Sequence, residues 1–224
     1  NMITYFSGIN IIPEVIMLFI SLLMILLITV SKPEMTKQMI LCRNGFIVSV
    51  VAIVFELLMY MELSNGGQFR EANFVIFYSL FTAAFIVVYD IIFIYLARLS
   101  YKWRVNESRT DKLIAIWSII FAGMVYYPLV TDKLIGTELA NGKVGVTNWY
   151  YMYIHAGTIM IVALLVIFVR NRNLVSRAVF KSIMCFVPID LLGLILQYYY
   201  PQITFSGASF VLPLLLFYLL FHCS

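Results

Sequence analysis

Long apolar runs separated by short polar breaks make up this chain. Seven runs stand out, at 10–30, 39–61, 73–97, 113–131, 149–169, 179–199 and 203–222. Each is close to the ~20 residues that an α-helix needs to cross about 30 Å of hydrocarbon. In lipid a backbone must satisfy its own polar groups, and a helix does so within one segment. The pattern therefore predicts an all-α membrane protein of seven transmembrane helices. One turn signal departs from it: Asn141-Gly142, between β-prone arms, predicts two short strands near 136–147 in the connection of spans four and five. That hairpin reads either as a lid over a pocket or as an inert ordered loop.

Small and polar residues recur at helical spacing within the spans. Span two carries Gly45, Ser49, Ala52 and Glu56, span three Ser79, Ala83, Asp90 and Ala97, and span four Ala115, Ser118 and Ala122. Small residues let helix backbones approach, so these stripes are expected to face the bundle interior. Span six has Asp190, Gly193, Leu194 and Gln197 on one face. Tyr126 and Tyr127, and Trp149 to Tyr153 opposite them, read chiefly as the aromatic belt of a membrane interface.

Composition agrees with the pattern: 63% of residues are hydrophobic and 12% charged, far from a soluble domain. Charge adds orientation. Of the 15 Lys and Arg, all but Arg70, Lys133 and Lys143 flank the connections after spans one, three and five. The positive-inside rule then places the N-terminus outside and the C-terminus in the cytoplasm. The basic connections read as this signal and as a surface for anionic lipid, and no nucleic-acid partner is expected. The first run is full-span length without a basic leader, so no cleavable signal peptide is read. Cys42, Cys185 and Cys223 have no motif spacing and read as packing residues.

Glu56, Asp90 and Asp190 are the carboxylates expected inside the membrane, with no Lys or Arg in any span to balance them. Such residues are costly and usually face a cavity or a partner. Glu14, Glu56, His155 and Gln197 belong to the outer half and Asp190 to mid-depth. Together with Tyr126 or Tyr127 they define an expected ligand pocket open to the outside. Glu14 has a second reading, favouring the N-terminus of its own helix. His155 has one as a helix-to-helix hydrogen bonder, and the carboxylates have one as helix-holding groups. Asp90, in the inner half, is the expected coupling residue. An uncompensated carboxylate favours a small-molecule ligand bearing an amine or several hydrogen-bond donors.

The chain has no HExxH, GxxxxGK[ST] or GxGxxG motif and no Cys/His metal spacing. Neither enzyme activity nor a cofactor is expected. Span seven lacks a Lys for a retinal Schiff base and an Asn-Pro-x-x-Tyr motif, and span three lacks Asp-Arg-Tyr at its inner end.

Three places carry a resemblance: Ile11-Ile-Pro-Glu14, the hairpin Glu138-Leu-Ala-Asn-Gly-Lys-Val-Gly-Val146 before an aromatic-rich span five, and Gln197-Tyr-Tyr-Tyr-Pro201. On these and on architecture, the chain resembles the N-terminal seven-helix membrane sensor region of bacterial cyclic-di-GMP signalling proteins or related histidine kinases. The resemblance covers nearly all of residues 1–224. It implies a multi-pass domain of the bacterial plasma membrane, followed in cis by a cytoplasmic GGDEF, EAL or kinase output domain. Span seven would pass the signal on, and a second copy of the chain is a candidate partner. The rivals are a small secondary transporter, against which seven spans do not divide into equal halves, and an assembly subunit.

Overall fold

The computed structural model describes residues 3–4, 8–31, 36–64, 69–99, 107–138, 143–170 and 172–222. Seven α-helices account for most of them: α1 (Ile12–Ser31), α2 (Lys37–Ser64), α3 (Glu71–Leu99), α4 (Glu107–Val130), α5 (Met152–Arg170), α6 (Arg177–Tyr199) and α7 (Ser206–His222). Six of these, α1 to α6, are long and apolar enough to cross a membrane, so the chain is built as a multi-pass membrane protein. The seventh is shorter than the expected run of 203–222. Its 17 residues rise about 25 Å, against about 30 Å of hydrocarbon. The residues before Ser206 are used instead as a turn, described below.

Successive helices are neighbours, and α7 closes the ring by packing on α6, α1 and α2. Helix α3 is central, with 72% of its apolar window buried, whereas α1 and α4 are peripheral at 22% each. Large apolar side chains on the outer faces remain exposed, among them Phe19, Leu23 and Leu26 of α1 and Ile116 and Ile119 of α4. Exposed apolar faces of this kind suit hydrocarbon rather than water.

The small-residue stripe of α2 faces inward, whereas on α3 Ser79, Ala83 and Asp90 are half-buried and only Ala97 is buried. Gly45, Ser49, Ala52 and Glu56 are all buried, and a Cβ on Gly45 would stand 3.0 Å from the Leu214 side chain of α7. Gly193 of α6 lets Ser209 of α7 approach until a Cβ there would meet its Cα at 3.3 Å. Span four departs from the expectation. Ala115 is exposed and Ser118 and Ala122 are half-buried, while Ile114, Phe121, Val125 and Pro128 form the buried line. A peripheral helix touches the bundle by one narrow edge, and here bulky residues fill it.

The expected strands are present as β2 (Ile135–Glu138) and β3 (Lys143–Thr147), antiparallel with Gly136 opposite Gly145. The turn at Asn141-Gly142 lies outside the described residues. A third strand, β1 (Ile3–Thr4), pairs with β3 through Ile3 and Thr147, so the sheet order is β1-β3-β2. Thr147 anchors the sheet to the bundle. Its backbone N–H donates to Leu134 O at 3.0 Å, and its hydroxyl donates to Lys133 O and accepts from Trp149 N.

Most of the aromatics opening α5 are core residues rather than the interfacial belt expected of them. Tyr150 and Tyr153 have no exposed surface and Tyr151 is buried. Tyr153 stands edge-on to Phe81 and Phe85 of α3, at 5.2 and 5.5 Å between ring centroids. A short 3₁₀ turn over Asn148–Tyr151 turns these rings toward α3. Tyr127 and the run Tyr198 to Tyr200 are exposed, as a belt requires.

Candidate functional site

The polar centre of the bundle is the first turn of α7, approached from three other helices. The local sequence Ser206-Gly-Ala-Ser209 has small side chains, which leaves room for long polar residues to reach its backbone. The first amides of a helix have no partner within it and must find one elsewhere. Gln197, near the end of α6, supplies one: its Oε1 accepts from Phe205 N at 2.6 Å and from Ser206 N at 3.2 Å. Its Nε2 donates to the Tyr60 hydroxyl of α2 at 3.0 Å. Glu14 of α1 supplies another, its Oε1 accepting from Gly207 N at 2.6 Å.

The path of the chain explains how α1 reaches α7. Asn10 donates its backbone N–H to Gln202 O at 2.7 Å, and its own carbonyl accepts from Thr204 N at 3.2 Å. Asn10 Oδ1 then accepts from Ile12 N at 3.0 Å and starts α1. The α6–α7 turn and the start of α1 are therefore one unit. Pro13 costs nothing in the first helical turn, and Glu14 follows on the side facing α7. Glu14 lies in the first turn of α1, but its carboxylate is buried on the N-terminus of a different helix, α7, an arrangement that neither reading foresaw. Gly207 makes this possible, because a Cβ there would collide with the Glu14 carboxylate.

Glu56, one turn before Tyr60 on α2, completes the cluster. Its Oε1 accepts a hydrogen bond from the Ser206 hydroxyl. That hydroxyl also lies 3.5 Å from Glu14 Oε1, so one serine bridges the two carboxyl groups. A second polar chain runs deeper into the bundle. Ser209 Oγ donates to Ser206 O at 2.6 Å, and Tyr89 of α3 donates its hydroxyl to Asp190 Oδ1 at 2.7 Å.

Glu14, Glu56, Asp190 and Gln197 have no exposed surface at all. Each carboxyl group keeps one buried oxygen without a hydrogen bond: Glu14 Oε2, Glu56 Oε2 and Asp190 Oδ2. No Lys or Arg is among the partners found for these oxygens. Convergence of Glu14, Glu56 and Gln197 follows the expectation from the sequence, and Asp190 lies deeper on the same face of α6. Among the described residues no opening leads to the cluster: Tyr60, Thr204 and Ser206 beside it are buried as well.

The other expected site residues lie apart. His155 is exposed on α5, with its ring 5.5 Å from that of Tyr198. One helical position separates it from buried Ile154 and Ala156, and the α5 surface facing the core is taken by Tyr153 and Gly157. Tyr127 is 45% exposed and meets Lys133 and Trp149 at the rim. Tyr126 is half-buried and donates to Ser79 O at 2.8 Å, binding α4 to α3. Asp90 is half-buried, and Ser118 of α4 donates to its Oδ2 at 2.6 Å. It therefore faces α4, while the adjacent Tyr89 faces Asp190. Among the described residues no group of His, Cys, Asp and Glu could hold a metal ion.

Tyr60, Tyr89, Ser206, Gly207 and Ser209 were not singled out by the sequence reading. For those on α7 the small run Ser206-Gly-Ala-Ser209 is the signal that could have found them, since it leaves helix-end amides accessible, while no local pattern marks Tyr60 or Tyr89. Set against protein-family models, curated proteins and solved structures, the chain matches none.

Proposed function

We propose that the chain is the membrane-embedded sensing domain of a bacterial signalling protein, with α7 as the helix that carries the output. The observation behind this reading is the convergence of Glu14, Glu56 and Gln197, from three helices, on the first turn of α7. A ligand with an amine or several hydrogen-bond donors would compete for those oxygens and replace the caps of α7 with its own contacts. Only a ligand that binds the two arrangements differently can shift the helix. The buried oxygens of Glu14 and Glu56 that have no hydrogen bond give it a reason to.

In this reading the hairpin end faces outward, in keeping with the distribution of Lys and Arg. Helix α7 is the seventh crossing, its length made up by the turn before Ser206, and it leads to a GGDEF, EAL or kinase domain in the cytoplasm. Asp90, tied to α4, acts in coupling rather than in ligand capture.

The closed packing of the cluster favours a second reading, an assembly subunit in which the carboxyl groups only hold helices together. Sequencing the gene past residue 224 separates the two. The sensing reading expects an in-frame cytoplasmic output domain, and a stop codon directly after the last helix would leave the assembly reading.

A further inference from the structure

Three cations converge on one concave surface at the connection of α5 and α6. Arg172, Arg177 and Lys181, with Asn173, Val175 and Phe180, line a cavity of about 240 Å³. The three cationic side chains are exposed, and among the described residues none has a carboxylate partner. The positive-inside rule accounts for the sign of this connection but not for its concavity.

The height of the cavity in the membrane follows from the chain. Helix α5 ends at Arg170 and α6 starts at Arg177, and both are long enough to span. A connection this short between two spans has to lie at the level of lipid headgroups. Its backbone is held in place by a 3₁₀ turn over Arg172–Leu174 and by Ser176, whose hydroxyl accepts from Val179 N at 3.3 Å. The lining is not uniformly polar. Val175, buried, and Phe180, half-buried, add apolar surface beside the cations.

We propose that this cavity binds the phosphate of an anionic phospholipid headgroup. Arg172, Arg177 and Lys181 hold the phosphate oxygens by charge-assisted hydrogen bonds, and the acyl chains leave along Phe180. A free phosphate ion would use the same cations but gain nothing from Phe180 and Val175, and the headgroup level is where lipid phosphate is concentrated.

The test uses the full chain in detergent micelles, titrated with phosphatidylglycerol or with phosphatidylcholine of the same acyl chains, bound lipid being counted by native mass spectrometry. Phosphatidylglycerol is expected to bind in preference. Removing one cation at the headgroup level should weaken it roughly fivefold, so Arg177→Gln with Lys181→Gln should show a loss well beyond that of either alone. Lys37→Gln with Lys112→Gln removes the same charge from the other basic connections, and should leave binding within about twofold. Glycerol 3-phosphate at equal concentration should not displace the lipid. Equal binding of the two lipids would overturn the proposal. So would a control pair as costly as the site pair, which would mean diffuse charge, or displacement by glycerol 3-phosphate, which would mean a site for free phosphate. The substituted positions are exposed, and if the double variant still does not fold, Arg172→Gln alone reads the same site with a smaller loss.

Discussion

Gly207 has no room for a methyl group, and that absence is what lets Glu14 reach the backbone of another helix. In Gly207→Ala the Cβ would collide with the Glu14 carboxylate. Overpacking of this kind costs about 1–3 kcal/mol, measurable as a lower midpoint of unfolding in micelles. Truncating the neighbour should return part of the loss, so a cycle with Glu14→Ala should show non-additivity. Additive effects would mean that the two residues are not in contact. Gln197 offers a sharper test, because it serves both sides of the site. Gln197→Leu removes the acceptor of the amides of Phe205 and Ser206, at about 1–3 kcal/mol for each group left unpaired. A loss below about 0.5 kcal/mol would show that the amide does not cap α7.

At the scale of elements, the unit that matters is the α6–α7 turn fastened to the start of α1. It makes α7 depend on a helix far away in sequence, through Asn10 and Glu14, as well as on its neighbour α6. The turn also fixes which end of the bundle the cluster occupies, and orientation decides what that end can meet. The positive-inside rule, applied to the Lys and Arg along the sequence, predicts that a cysteine placed at Gly142 should react with a membrane-impermeant reagent in intact cells. One placed at Glu107 should be protected. The opposite pattern would put the carboxyl cluster at the cytoplasmic face and remove the basis for an outward-facing sensor.

For the whole molecule, the question is whether the buried carboxyl groups serve a ligand or only the fold. Neutral amides are easier than carboxylates to keep inside a membrane, so Glu56→Gln and Asp190→Asn should leave the protein folded. A panel of small amines tested by thermal shift should contain a class that stabilises the wild type. That stabilisation should fall by about 1–3 kcal/mol in each variant, the range for one charge-assisted hydrogen bond. Asp90→Asn, which faces α4 through Ser118, should keep the affinity while altering the response on the cytoplasmic side. Stabilisation untouched by Glu56→Gln would place the ligand elsewhere and leave the carboxyl groups to assembly.

Much of this architecture is written locally in the chain. Span-length apolar runs, the inward stripe of α2, the buried face of α6 and the two hairpin strands each arise from spacing within one segment, where helical or strand periodicity decides which side chains share a face. Even the meeting of Glu56 and Gln197 was foreshadowed, because each sits on a stripe of small residues that has to pack against something. Tertiary structure alone decided the rest. Periodicity cannot tell which helix a face will meet, so only the folded bundle shows Glu14 capping α7 and Asp190 bonded to Tyr89. It cannot tell how well the space between faces is filled, so the cluster is closed where an opening was expected. Nor can it tell a core tyrosine from an interfacial one, since a ring at the end of a span suits both places. That choice fell to α3, whose central position gave Tyr150 and Tyr153 an aromatic surface to pack on and left His155, two residues on from Tyr153, outside.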